Sequence, residues 1–260
     1  MEAEQQQRYY ELGRSYWWLA GKYRIIHDVL LRLLPSGARL RMLDLGCGPG
    51  NMLDFLAGYG DVFGSDFSAD ALRFCRGRQH ERVFRADFHR LPLLPRSFDV
   101  VTCIDVIEHL ADDRRAIGEL FQAVRPAGHL IVTVPAFQSL WGDHDELYGH
   151  YRRYRRGELR AKLGAAGFEV IKLSYFEPLF FAPLWLYRKW KRLRGRRGAL
   201  AQQDDFVALP GVVNALLTEA IALERFAIRH VSLPFGVTLL GVARRPPEPD
   251  HGEGKGERQP

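Results

Sequence analysis

The chain has 260 residues, of which 26% are charged and 47% hydrophobic, and its formal net charge is +6 at neutral pH. A chain of this length can bury one substantial core, which favours a single domain with additions over several domains. Three cysteines leave one unpaired in any disulfide scheme and show no CxxC spacing, which argues against a disulfide framework and a structural zinc site. Residues 1–5 are polar and acidic, so we expect no signal peptide and a cytoplasmic protein.

Strand and helix patterns alternate along most of the sequence, after an aromatic-rich helical segment at 9–34. Short apolar runs predict strands, and apolar residues at helical spacing predict helices. The predicted strands are 40–45, 61–66, 82–86, 98–104, 129–134, 168–175 and 235–243, and the predicted helices are 50–58, 68–77, 113–124 and 157–166. This βα rhythm predicts a mainly parallel sheet with binding sites at the C-terminal ends of its strands.

A glycine-rich turn follows the first predicted strand. Residues 43–51 read Leu-Asp-Leu-Gly-Cys-Gly-Pro-Gly-Asn, and glycines this close together let the backbone approach a ligand. A dinucleotide-binding loop needs Gly-x-Gly-x-x-Gly, and Asn51 stands where the third glycine would be, which weakens that interpretation. The second strand ends in Asp66, about 20 residues beyond the turn, where a carboxylate can accept hydrogen bonds from both ribose hydroxyls.

Further segments extend this pattern in order. Residues 85–88 place an acid beside an aromatic ring, residues 97–110 form an apolar strand that ends in Asp-Val-Ile-Glu-His-Leu, and residues 124–135 read as a helix end, a turn and a strand. With the glycine turn, this set resembles the class I S-adenosylmethionine (SAM) methyltransferases over roughly residues 38–175. The resemblance implies an α/β fold, a seven-stranded Rossmann-like sheet with helices on both faces, and SAM as the cofactor. It assigns cofactor contacts to Asp44, Gly46, Cys47, Gly48, Asp66, Phe67, Asp87, Phe88 and Cys103, and we add Arg24 as a partner for the carboxylate of the cofactor.

The sequence between the sixth and seventh predicted strands is longer than that family's usual hairpin. We predict an N-terminal helical lid at 1–36, a SAM-binding core at 37–175, a helical insertion at 176–234, the last core strand at 235–244 and a disordered tail at 245–260. About 59 residues separate the two strands, and a structureless loop of that size is uncommon, so we expect a cap or an interaction surface.

The insertion begins with an aromatic, apolar stretch at 176–187 that directly precedes a basic one at 188–197. The apolar part is about a dozen residues long and includes an acid and two prolines, which is too little to span a bilayer. A basic, apolar helix can lie on an anionic membrane surface instead, and we keep that attachment as a secondary hypothesis.

Three groups of residues are candidates for acceptor chemistry. Glu108 and His109 follow the fourth strand, and His144 and His150 lie after the fifth strand among acidic residues, so each could remove a proton from an acceptor hydroxyl. The cationic run that begins with Tyr151, Arg152 and Arg153 suits a carboxylate or phosphate on the acceptor.

A metal-assisted variant of this chemistry is an alternative. Residues 105–109 resemble the Glu-x-x-Glu-His pattern of some SAM O-methyltransferases, including enzymes of quinone biosynthesis and of small-RNA 3′-end modification, with Asp105 in place of the first Glu. The resemblance implies a divalent ion held by Asp105, Glu108, His109 and a later histidine, His144 or His150. Such an ion would bind the acceptor hydroxyls and lower their pKa.

The sequence therefore predicts a SAM-dependent methyltransferase that acts on a small-molecule or lipid-linked acceptor at oxygen. One alternative is a metal-assisted RNA 2′-O-methyltransferase, but the basic residues lie beside an apolar block and are not interleaved with stacking aromatics, so we expect no nucleic acid partner. The other alternative is a SAM-binding protein without methyl transfer. The acceptor has to be argued from the pocket, because a fold does not define a function.

Overall fold

The structure, a computed structural model, describes residues 13, 15–34, 37, 39–88, 91, 95–193 and 209–248. Its strands are β1 (Leu40–Leu45), β2 (Gly60–Asp66), β3 (Val83–Arg85), β4 (Phe98–Ile104), β5 (Val124–Pro135), β6 (Glu169–Phe176) and β7 (Thr238–Arg244). Its α-helices are α1 (Trp17–Leu33), α2 (Asn51–Leu56), α3 (Ala69–Gly77), α4 (Asp113–Ala123), α5 (Asp143–Leu147), α6 (Arg156–Ala165), α7 (Pro178–Leu193) and α8 (Gly211–His230). Within these ranges no helix combines the length and the apolar content that crossing a bilayer requires.

The seven strands form one sheet in the order β3-β2-β1-β4-β5-β7-β6. The first five strands are parallel, and β7 inserts antiparallel between β5 and β6. Buried aliphatic side chains pack on both faces of the sheet, as is typical of strands covered on each side by helices. The predicted Rossmann-like α/β fold is therefore confirmed.

Two helices distant in sequence cover one face together. Helix α1 packs against α8, and a Cβ at Gly21 would lie 2.6 Å from the Cβ of Ile221, so glycine permits this close approach. The Arg229 guanidinium of α8 pairs with the buried Asp28 carboxylate of α1. The N-terminal segment and the insertion thus share a single layer, and the division of the chain into lid, core and insertion stays a prediction.

Two helices of this fold begin with a side-chain cap. Ser68 Oγ accepts a hydrogen bond from the backbone N–H of Ala71 at the start of α3, and the Asp112 carboxylate accepts one from Arg115 N–H at the start of α4. Because Asp112 is that cap, Glu108 and His109, in a short 3₁₀ turn just before it, are not needed for capping α4.

The C-terminal boundary differs from the prediction. The tail was expected to be disordered from residue 245, but Arg245 is buried and donates hydrogen bonds to the carbonyl oxygens of Phe121 and Val124. Proline, glycine and charge with little apolar content suggested a tail, whereas carbonyl groups at the end of α4 offer this guanidinium its partners. The rest of the predicted tail from residue 249, the N-terminal residues 1–8 and the polar turn at 202–205 lie outside the described residues.

Candidate active site

The glycine turn joins β1 to α2 at the centre of the sheet. Gly46 and Gly48 adopt positive φ values of 75° and 49°, which favour glycine, and a Cβ on Gly46 would lie 2.3 Å from a Val106 methyl group. The Asp66 carboxylate at the end of β2 accepts a hydrogen bond from the Gly48 N–H at 2.9 Å. The turn and Asp66 therefore form one preorganised unit at the point where the strand order reverses.

A single cavity of about 1000 Å³ opens at this edge of the sheet. The glycine turn and Asp66 line one part of it, and residues of α1, α5 and α7 line other parts, together with the segments that follow β4 and β5. The predicted site residues that line it are Gly46, Gly48, Asp66, Phe67, Phe88, Asp105, Glu108, His109, His144, His150 and Arg153. The cavity therefore joins the predicted cofactor loop to the predicted acceptor groups.

Several predicted cofactor residues lie elsewhere. Asp44 is buried behind the turn, where it accepts a hydrogen bond from Thr102, and burial raises its pKa to about 7. Cys47 and Cys103 are buried in hydrophobic clusters, and Asp87 is exposed without lining the cavity. Asp44 and Cys47, which lie next to or in the glycine turn, are thus buried and do not line the cavity.

The assignment of Arg24 to the cofactor is not supported by its position. Arg24 lies on the outer side of α1, is paired with Glu219 of α8 and does not line the cavity. Lys22, two residues earlier, is the cation of α1 that lines it, with its ammonium group paired with Asp105 and 4.5 Å from the Trp18 ring centroid. Lys22 faces the cavity and Arg24 does not, because residues two positions apart face different sides of a helix.

Glu108, His109 and His150 form a compact cluster in the cavity wall. One potential ligand atom of each lies within 4.8 Å of those of the other two, and the His109 and His150 ring centroids are 4.5 Å apart. Both carboxylate oxygens of Glu108 are buried without a hydrogen-bond partner. A buried carboxyl group without partners is costly unless a ligand or an ion completes the site.

The surrounding residues orient both histidines in the same way. His109 Nδ1 lies 2.8 Å from the Tyr148 carbonyl oxygen, and His150 Nδ1 lies 2.8 Å from a carboxylate oxygen of Asp145. Donation of Nδ1–H to these acceptors leaves Nε2 of each ring with its lone pair, for a proton or a metal ion.

The electrostatics of the site favour a neutral imidazole at His109. Burial, together with the neighbouring His150, lowers the pKa of His109 to about 4. Burial raises the pKa of Glu108 well above its usual value, and the nearby Asp105 adds to this. Burial also acts to raise the pKa of Asp145, but the hydrogen bond with His150 and the charge of Arg153 lower it overall. Asp145 is therefore the ionised carboxylate beside the cluster.

The structure separates Asp105 from the predicted metal ligand set and distinguishes between the two histidines predicted as its last member. Asp105 is engaged by Lys22 and by the Thr133 hydroxyl, and among the described residues the group that could hold an ion contains Glu108, His109 and His150. Of the two histidines, His150 belongs to this group, whereas His144 lines the cavity and packs against the Tyr148 ring at 4.3 Å between centroids. The ion pair between α1 and the end of β4 is a tertiary contact that local spacing does not reveal.

Of the three residues predicted to bind the acceptor, only one lines the cavity. Tyr151 is exposed and Arg152 pairs with Asp113, and neither lines the cavity. Arg153 does line it, with its Nε 2.7 Å from Asp145. Arg188 of α7 is a second buried guanidinium in this wall, 3.5 Å from the same carboxylate.

Sequence reasoning missed Lys22, Glu177, Arg188 and Thr238 as cavity residues. Glu177 is buried at a left-handed φ of 64°, one oxygen accepts from the Thr238 hydroxyl at 2.7 Å, and the other has no partner. A strained, buried acid at the end of a strand is a common feature of functional sites. The signal in the sequence was a charged residue inside an apolar run.

A glycine turn, a carboxylate after the second strand and a cavity at the switch point define a nucleoside-cofactor protein of the open α/β class. Residues 43–132 match the family described as Methyltransferase domain. A ubiquinone biosynthesis O-methyltransferase from Azorhizobium caulinodans is 31% identical over 211 residues, which cover 66% of this chain and 83% of that protein. The chain belongs to the class I SAM-dependent methyltransferase family.

Other relatives share a smaller part of their length with this chain, or share mainly the fold. The chain spans only 38% to 61% of the length of several other curated relatives that it matches. A SAM-dependent methyltransferase from Thermotoga maritima, described as a possible histamine N-methyltransferase, is 17% identical with a TM-score of 0.57 and covers 93% of this chain and 95% of that one. A [4+2]-cyclase is 21% identical with a TM-score of 0.55 over 86% of this chain and 81% of that one, so one fold serves different reactions.

Proposed function

We propose that the protein transfers a methyl group from SAM to a hydroxyl oxygen of a small-molecule or lipid-linked acceptor. The observation that carries this proposal is the Glu108–His109–His150 cluster in the cavity that the glycine turn and Asp66 also line. A hydroxyl must lose its proton near the transition state, and positioned groups of this type supply that step.

The residues present fit SAM. The open glycine turn, the Asp66 carboxylate and the Phe67 and Phe88 rings border one part of the cavity, which suits the ribose and the adenine of a nucleoside. SAM supplies an electrophilic methyl group and becomes neutral at sulfur on transfer. The chain's own contribution is to hold the two reactants in line and to exclude water.

His150 is the residue we assign to the acceptor proton. Its Nδ1 is held by Asp145, so Nε2 can accept a proton from the hydroxyl while the Asp145 carboxylate stabilises the resulting imidazolium. The proton thus moves to His150 as the oxygen bonds to carbon.

The same cluster also fits a divalent ion. Glu108, His109 and His150 would hold it, with the Tyr148 carbonyl and Asp145 orienting the rings, and the partnerless Glu108 oxygens are the observation that favours it. A bound ion would lower the pKa of an acceptor hydroxyl, and because it would occupy Nε2 of His150, it is an alternative to His150 as the means of removing the proton.

The rest of the cavity indicates an acceptor with an extended apolar part. Trp17, Trp18, Phe180 and Leu184 line it on the side of α1 and α7. Aromatic and aliphatic walls of this kind suit a ring or a prenyl chain. Similarity to an enzyme named for ubiquinone biosynthesis supports such an acceptor.

The test is methyl transfer from labelled SAM to 3,4-dihydroxybenzoate and to a prenylated catechol, with Mg²⁺, Mn²⁺ or a chelator. We expect His150→Ala to lower kcat by about 10²–10⁴-fold, as is usual for loss of a positioned base, with SAM affinity retained. His230→Ala, outside the cavity, is the matched control. An unchanged rate in His150→Ala would contradict the assignment of the base, and labelling of amine acceptors alone would contradict transfer to oxygen.

A binding experiment, separate from the methyl-transfer assay, tests the metal dependence. Titration with Mn²⁺ should give binding that Glu108→Gln abolishes and that His144→Ala leaves unchanged, because His144 lies outside the ligand group. Full activity in the chelator together with no Mn²⁺ binding would leave His150 as the base without an ion.

A further inference from the structure

Helix α7 carries a continuous apolar stripe on its outer face. Leu179, Leu186, Trp190 and Leu193 are exposed by 68%, 58%, 46% and 79%. Their spacings of 7, 4 and 3 residues place them on one side of the helix, over a length of about 21 Å. We call these four residues the α7 stripe; contiguous exposed apolar surface of this kind marks an interaction site.

The opposite side of α7 is fixed to the domain. Arg188 lies against Asp145, Lys191 pairs with Asp143, and Arg192 donates a hydrogen bond to the Ser139 carbonyl oxygen at 2.9 Å. Phe180 and Leu184 line the cavity. Since these contacts set the rotation of the helix, the stripe has to face away from the core.

The charge on α7 is of one sign. Its sequence contains four cationic residues and no acidic one. Lys189, beside the stripe, is exposed, and its ammonium group lies 4.9 Å from the Trp185 ring. Leucine and tryptophan on one face with lysine at its border is the composition of helices that lie in the plane of a bilayer.

We propose that the α7 stripe, with Lys189, docks on the surface of an anionic lipid bilayer, with α7 parallel to the membrane plane. The ammonium group of Lys189 complements an anionic headgroup layer, and the apolar side chains of the stripe reach below it. The inference goes beyond the proposed function and does not depend on it.

Docking in this way has a consequence for the cavity. Pro183 and Tyr187 are exposed and also line the cavity, so its opening lies next to the stripe. A docked molecule would therefore present this opening to the headgroup region. Only this consequence rests on the proposed function, because it concerns entry of a lipid-linked acceptor.

The test is co-sedimentation of the full chain with vesicles of phosphatidylglycerol and phosphatidylcholine, and of phosphatidylcholine alone, at low and high salt. We expect binding to the anionic vesicles that falls with salt, and at least tenfold weaker binding for Leu186→Glu. Leu31→Glu, on an exposed site of α1, is the matched control and should bind like the wild type. Lys189→Gln should weaken binding about fivefold, the contribution of one cationic residue at such a surface.

Three outcomes would overturn the proposal. The first is no vesicle binding at low salt, the second is equal binding by Leu186→Glu and the wild type, and the third is equal binding to both vesicle types.

A concentration-dependent dimer in light scattering that Leu186→Glu abolishes, without vesicle binding, would assign the stripe to a second copy of the chain. If Leu186→Glu fails to fold by circular dichroism, Leu193→Gln at the end of the stripe replaces it. Methyl transfer to a water-soluble catechol is measured in parallel, so failure of docking and failure of the proposed function are distinguished.

Discussion

Asp145 shows how a few buried charges organise the acceptor end of the cavity. One carboxylate faces His150 at 2.8 Å, Arg153 at 2.7 Å and Arg188 at 3.5 Å. These three come from the segment after β5 and from α7, so a single anion connects the insertion to the histidine that we propose as the base. Removing it would leave buried cations unpaired, which is costly.

Glu177 gives a prediction at the same scale. Burial raises its pKa from 4.5 to about 8, so the folded state keeps a proton that the unfolded state releases between those values. The unfolded state then binds fewer protons, and the free energy of unfolding falls as pH rises through this window, by about 1.4 kcal/mol for each unit of pKa difference. Glu177→Gln removes this dependence.

We therefore expect the melting temperature of Glu177→Gln, relative to the wild type, to rise by several degrees between pH 5 and pH 8.5, since each kcal/mol corresponds to about 2–4 °C for a chain of this size. Differential scanning calorimetry across this pH range measures it. Glu169→Gln, which removes an exposed carboxylate, is the control. A pH-independent difference for Glu177→Gln would show that the Glu177 carboxyl group is not held neutral.

At the scale of elements, the contact between α1 and α8 sets the shape of the cavity, because Lys22, Trp17 and Trp18 reach it from α1. The backbone N–H of Trp17 donates to Oδ1 of Asn214 on α8 at 2.9 Å, and the Trp17 ring centroid lies 4.9 Å from that of Phe180 on α7. The beginnings of three helices therefore meet at one wall of the site.

Gly21→Ala tests that contact. The new Cβ would lie 2.6 Å from the Ile221 Cβ and 3.3 Å from the Thr218 carbonyl oxygen, so the helices must separate, at a cost of about 1–3 kcal/mol. Gly118→Ala, in α4 with open space around it, should instead stabilise the protein by about 0.5–1 kcal/mol through helix propensity. Urea unfolding of both variants is the measurement, and equal effects of the two would mean that α1 and α8 do not approach this closely.

For the whole molecule, cofactor binding should be coupled to stability. S-adenosylhomocysteine, the demethylated cofactor, should raise the free energy of unfolding by about 2.7 kcal/mol at 100 times its Kd, and NADH should have no effect. Asp66→Ala should abolish the shift, whereas Asp61→Ala, at the other end of β2, should keep it. Thermal unfolding with each ligand measures this, and stabilisation by NADH alone would contradict the cofactor assignment.

Much of the core could be predicted from sequence because its signals are local. Predicted β1 at 40–45 and β4 at 98–104 coincide with the observed strands, and the glycine turn forms where its spacing indicated. Predicted β5 at 129–134 was too short, since the strand begins at Val124, where it pairs with Phe98 across a register shift. Pairing with the neighbouring strand β4 extends β5, and no local sequence pattern reveals that pairing.

By itself, the sequence determined the order of strands and helices, the glycine turn, Asp66 after β2 and the presence of an acid and histidines after β4 and β5. These follow from periodicity and from backbone requirements that act over a few residues. Only the tertiary structure decided that Lys22 and not Arg24 faces the cavity, that His150 joins Glu108 and His109, and that Arg188 and Glu177 of the insertion complete the wall. Each of these depends on the rotation of a helix about its axis or on the meeting of segments distant in sequence. Packing of the whole chain fixes those quantities, and no local spacing encodes them.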